Sequence, residues 1–109
     1  MQSVDPKKYS EANDKEKLEL VLRSWEFTDI EGILDNLHEK GILLHHVYWI
    51  DWSDWKDLFP KEKLGNRIEF RAFWRIFQDE VTSKAGRNAR IETKKDICDI
   101  LDKMYGQAK

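Results

Sequence analysis

The chain has 109 residues, 40% of them hydrophobic and 12% aromatic, including five Trp and five Phe. That suffices for one domain with its own core and excludes the disordered class, although 37% of the residues are charged. Cys98 is the only cysteine, which excludes an intramolecular disulfide, and the longest run without a formal charge, Gly41 to Ile50, is ten residues against the roughly 20 needed to cross a bilayer.

Residues 1–12 are polar, contain Asp5-Pro6 and lack a sustained apolar period, so they read as a mobile or loosely docked N-terminal arm. Residues 13–109 read as a single helical domain. Leu18, Val21, Leu22 and Trp25 have the i, i+3, i+4, i+7 spacing of one helix face, and Asn13 with Glu16 supplies a capping box. The first helix is therefore expected over about Asp14 to Glu26. Thr28 and Glu31 form a second capping box, Ile30, Ile33, Leu34 and Leu37 repeat the apolar spacing, and Gly41 supplies the left-handed stop.

Residues 42–50 are rich in β-branched and aromatic side chains, which fits a short strand or a buried connector. From Ser53 the pattern turns helical and ends near Phe59-Pro60. Asn66 is expected to cap a long aromatic helix with Phe70, Phe73, Trp74, Phe77 and Val81 on one face, closed by Ala85-Gly86. Thr93 with Asp96 starts the last helix, with Ile97, Ile100, Leu101 and Met104 inward. The expected fold is mainly α: a compact single-domain bundle of four to five helices, with a strand-like segment at 42–50 as the open question and a winged-helix variant as its competitor.

Catalytic and metal signatures are missing at the level of motif. The chain has no Gly-x-Ser-x-Gly elbow, no phosphate-cradling Gly-rich loop, no His-Glu-x-x-His and no paired Cys-x-x-Cys. His45 and His46 are adjacent, and Asp51, Asp54 and Asp57 lack the alternating ligands and central Gly of a calcium loop. The expectation is a non-enzymatic protein without metal or cofactor.

Two surfaces are candidates for binding. The segment 49–57, WIDWSDWKD, spaces Trp49, Trp52 and Trp55 and Asp51, Asp54 and Asp57 three residues apart. Tryptophan is enriched at interface hot spots and carboxylates steer basic partners, so these six residues are expected to bind a protein. Trp55 and Asp54 are the first positions to test. The alternative is nucleic-acid binding through a basic stripe formed by Arg67, Arg71, Arg75, Lys84, Arg87, Arg90, Lys94 and Lys95. Against it, residues 1–60 hold 7 Lys/Arg and 13 Asp/Glu (net −6) while residues 61–109 hold 12 and 8 (net +4), so the stripe could simply pair with the acidic first half.

Ile50-Asp51-Trp52-x-x-Trp55 resembles the Phe-Asp-Trp-x-x-Trp pattern of an uncharacterised family of small bacterial and phage-borne proteins. Arg87-Asn88-Ala89-Arg90-Ile91 is similar to that family's Arg-x-x-Arg-Phe segment, with Ile91 in place of the aromatic, and Ile100-Leu101 to its closing Ile-Leu. The resemblance covers residues 30–105 at most and implies a helical fold and a prokaryotic or phage setting, without an activity. The functional expectation is a small protein-interaction module, an inhibitor or regulator of a bacterial or phage system. Without a hydrophobic leader or an Asn-x-Ser/Thr site, the chain is expected to be cytoplasmic, with no membrane contact.

Overall fold

The computed structural model describes residues 3–51 and 53–106. Among them the elements run α1 (Pro6–Glu11), α2 (Asp14–Arg23), α3 (Ile30–Glu39), α4 (Leu44–Trp49), α5 (Trp55–Leu58), a 3-10 turn (Lys61–Lys63), α6 (Leu64–Ala85) and α7 (Lys94–Tyr105). No strand forms among the described residues, and the domain is mainly α.

α6, 22 residues long, is the spine. Phe70, Phe73 and Phe77 are each at most 1% exposed and stack along it, with ring centroids 5.7 and 5.5 Å apart. Around it pack α3, α4 and α7, and α2 packs against α3 and α4. Trp25 and Phe27 from the α2–α3 connection meet Phe73 edge-on. Aromatic pairs in this geometry add to what area burial already supplies.

The capping boxes of α2 and α7 form as the sequence predicts. Asn13 accepts from the Glu16 N–H while the Glu16 carboxylate accepts from the Asn13 N–H, and Thr93 and Asp96 repeat the exchange. α3 starts differently. Asp29, not Thr28, is its cap: Asp29 Oδ1 accepts from the Gly32 N–H at 3.0 Å, and its Oδ2 accepts from the side-chain amide of Asn66 at 3.0 Å. The Thr28 N–H goes instead to Glu69 Oε1, and Glu31 pairs with Arg23. Asn66 is therefore not the cap of α6 but a buried tie between its first turn and the start of α3. α2 also stops earlier than expected, at Arg23, because the Ser24 hydroxyl folds back onto the Val21 carbonyl.

Within the segment 42–50 the chain forms the helix α4, Leu44–Trp49, and no strand. Gly41, at φ +72°, ends α3, and the Ile42 N–H returns to the Leu37 carbonyl, closing a Schellman turn. α4 then buries Leu44, His45 and Val47 against its neighbours. A lone strand would have no partner for its backbone groups, whereas a helical turn satisfies them internally.

The expected N-terminal arm contains α1. Asp5 caps it, and Tyr9, 1% exposed, packs 5.6 Å from the Tyr105 ring. The Ser10 hydroxyl donates to the Gly106 carbonyl at 3.1 Å, so the two ends of the described chain lie side by side.

Candidate functional site

The turn that follows α4 is fixed by its own aspartates. Asp51 Oδ1 accepts from the Ser53 N–H at 2.9 Å and from the Ser53 hydroxyl, and Asp54 Oδ2 accepts from the Asp51 N–H at 2.9 Å. These bonds, the Ser53 hydroxyl first, hold the Asp51 carboxyl below the usual carboxylate range. The three-residue spacing of Asp51 and Asp54 is thus the spacing of a self-capped turn.

This turn sets α5 against α4 so that a groove of about 490 Å³ opens between them. Ile42, Ile50 and Leu58 give it apolar surface, and Trp49, 39% exposed, stands in its lining. Asp54 and Asp57 enter from the α5 side, Lys40 and His46 from α3 and α4. An apolar groove with a small number of charged groups is the usual form of a recognition site. His46 is tied down at one nitrogen: its Nδ1 accepts from the Leu43 N–H at 2.9 Å, which fixes the ring against the first turn of α4.

Of the six residues predicted for protein binding, Trp49, Asp54 and Asp57 line the groove, and Asp51 is exposed and holds the turn behind it. Trp52 lies outside the described residues. Trp55 belongs to the core: it is 2% exposed, with its ring 5.8 Å from Phe70 and 5.3 Å from Trp74. α5 begins at Trp55, and its first residue points inward together with Leu58 three residues on.

The basic residues do not form one stripe. Arg67 and Arg71 are half-buried on α6 and Arg75 is exposed, whereas Lys84, Arg87 and Arg90 lie at or beyond its far end. At 1.5 Å per residue, Arg67 and Lys84 are about 25 Å apart along α6. Lys94 pairs with Asp14 at 3.5 Å, so part of the basic half faces the acidic half. Lys95 is exposed beside it.

A second surface escaped the sequence reading. Leu64, Ile68 and Ile76 are 54, 59 and 44% exposed on the outer side of α6, with Ala72 exposed between them. The same stretch carries Lys61, Lys63, Arg67 and Arg75, together with the exposed Glu62 and Asp79. The i, i+4, i+12 spacing was available as a signal, but the aromatic face of the same helix masked it. The groove residues Lys40, Ile42, His46, Ile50 and Leu58 were also missed, because the sequence does not show that α3, α4 and α5 meet.

A small cavity of about 20 Å³ lies elsewhere, among Tyr9, His45, Cys98 and Asp102. Burial pushes the Cys98 thiol and the Tyr9 and Tyr105 hydroxyls up from their usual values, which favours their protonated forms. Among the described residues no three His, Cys, Asp or Glu side chains converge to hold a metal ion, and no helix is long and apolar enough to cross a membrane. No family model, curated protein or solved structure matches the chain.

Proposed function

We propose that the protein is a protein-interaction module whose groove takes a helix face combining aliphatic and basic side chains. The observation that carries this reading is the convergence of exposed Trp49 with Asp54 and Asp57 over an apolar floor. An exposed tryptophan supplies the anchor, and the carboxylates favour cationic partners and disfavour anionic ones.

The outer side of α6 is aliphatic and more basic than acidic, with Leu64, Ile68 and Ile76 in a stretch that holds Lys61, Lys63, Arg67 and Arg75 against the exposed Glu62 and Asp79. A second copy of the chain is therefore a partner of the right chemistry. Because groove and strip are different surfaces, copies joined this way would associate head to tail.

Sedimentation velocity at rising concentration tests the reading. Wild type is expected to sediment as a growing series, and Trp49→Ala and Ile68→Asp each to stay monomeric. An equal mixture of the two variants should form a 1:1 dimer, since each keeps one intact surface. Wild type that stays monomeric at high concentration removes the second copy as partner. Trp49→Ala that associates like wild type removes the groove.

Nucleic-acid binding through Lys84, Arg87, Arg90 and Lys95, all exposed, is the second reading. A gel shift at low salt that vanishes at moderate salt would support it, since phosphate contacts weaken steeply with salt.

A further inference from the structure

The outer face of α6 carries two opposite charges in a fixed order. Arg75 follows Ile68 by seven residues and Ala72 by three, so it shares their side of the helix, and Asp79 follows Arg75 by four on the same side. Both are exposed, and neither has an ion pair among the described residues. Arg placed four residues before Asp is the weaker orientation of such a helix pair, which leaves both charges open to other groups. Arg67 and Arg71 are half-buried, and Lys61 and Lys63 precede the helix, so Arg75 is the cation at the middle of the strip.

The groove holds the matching pair. Asp57 enters it from α5 and Lys40 from the end of α3; both are exposed and neither has an ion pair among the described residues. Asp54 is partly committed, since its Oδ2 accepts from the Asp51 N–H, which leaves Asp57 as the freer carboxylate. One anion and one cation in the groove lining thus answer one cation and one anion about 6 Å apart along the α6 axis. A helix laid with Arg75 over Asp57 turns Asp79 toward Lys40. Laid the other way round, it would set Asp79 beside Asp57 and Arg75 beside Lys40, and like charges facing each other across an interface are strongly disfavoured.

We infer that the α6 face of a second copy lies in the groove in one direction only, with Arg75 on Asp57 and Asp79 on Lys40. This rests on the groove taking the strip of a second copy, and it adds the residues that meet and the polarity of the contact. The guanidinium of Arg75 can engage both oxygens of one carboxylate in parallel, which fixes orientation as well as position. With the polarity fixed, each copy is related to the next by the same rotation and translation.

Charge exchange, read by sedimentation velocity of the full chain, tests both pairs. All four side chains are exposed, so the variants should keep the wild-type melting temperature. Asp57→Arg alone and Arg75→Asp alone are each expected to weaken association about tenfold or more, because each brings like charges together. Mixed one to one, they should recover a growing series: the altered groove of one takes the altered strip of the other, and the two unaltered surfaces still fit. Lys40→Glu and Asp79→Lys should behave in the same way, weak alone and growing when mixed. An Asp57→Arg and Arg75→Asp mixture that stops at a 1:1 dimer means that both residues are needed but do not meet, and overturns the pairing. Single variants that associate like wild type overturn it too. The same two results with Lys40→Glu and Asp79→Lys overturn the polarity. In each of these cases wild type still associates, and the groove with its second copy stands. Wild type that stays monomeric removes that reading and this inference with it.

Discussion

Trp49 and Trp55 are six residues apart and have opposite fates. Trp55→Ala removes a ring that touches Phe70 and Trp74 in the core and should cost about 3–5 kcal/mol in chemical denaturation. Trp49→Ala should cost under about 1 kcal/mol. Their equal spacing in the sequence hides this, because which tryptophan turns inward depends on where α5 starts, and the Asp51–Asp54 turn sets that start. A second residue-scale prediction concerns Gly32. A Cβ there would lie 2.1 Å from Asp29 Oδ2, so Gly32→Ala must push the Asp29 side chain off the cap and away from Asn66. The melting temperature should fall by several degrees, and the Asp29 carboxyl, held below its usual range chiefly by the Asn66 and Gly32 bonds, should titrate closer to normal in an NMR pH series. The choice of Asp29 over Thr28 was not legible locally. Both are good caps, and Asn66 and Glu69, 37 and 41 residues away in the chain, decide between them.

At the scale of elements, the periodic helices α2, α3, α6 and α7 were readable from apolar spacing and caps, and α1 and α4 were not. α1 is only six residues long and is held by one buried side chain, Tyr9, so its signal lies in a packing contact with Tyr105 from the other end of the chain. Tyr9→Ala should therefore cost about 3 kcal/mol and expose the α1 amides to hydrogen exchange. α4 was misread because its composition favours a strand while its surroundings offer no strand to pair with. It also contributes to the pH dependence of the fold. Burial, then His46 and Lys94, lower the pKa of His45, so the folded state binds fewer protons here than the unfolded chain does. The stabilisation is present above about pH 6.5, the ordinary imidazole value, and is lost as pH falls through that value toward the lowered one. The urea midpoint should decline over this interval, and less so in His45→Leu.

Across the whole molecule, the charge imbalance between the halves resolves into a local pairing and two separate surfaces. Lys94 meets Asp14, while the acidic groove and the basic aliphatic strip on α6 both face solvent. If those surfaces are joined between copies, part of the attraction is screened charge, and association should weaken as salt rises from 50 to 500 mM, by about tenfold or less because the aliphatic contacts persist. The asymmetry itself was legible in the sequence. The groove was not, since it needs three elements that no local pattern connects.

The bond from Ser10 to the Gly106 carbonyl and the Tyr9–Tyr105 contact have a mechanical meaning. Whatever is attached before α1 and after α7 leaves the domain at one spot, and tension applied between two such attachments acts first on the contact between α1 and α7. The same closeness makes the fold a candidate for circular permutation: a short linker between the two ends closes a loop at small entropic cost, and new ends can be opened in the 86–93 connection.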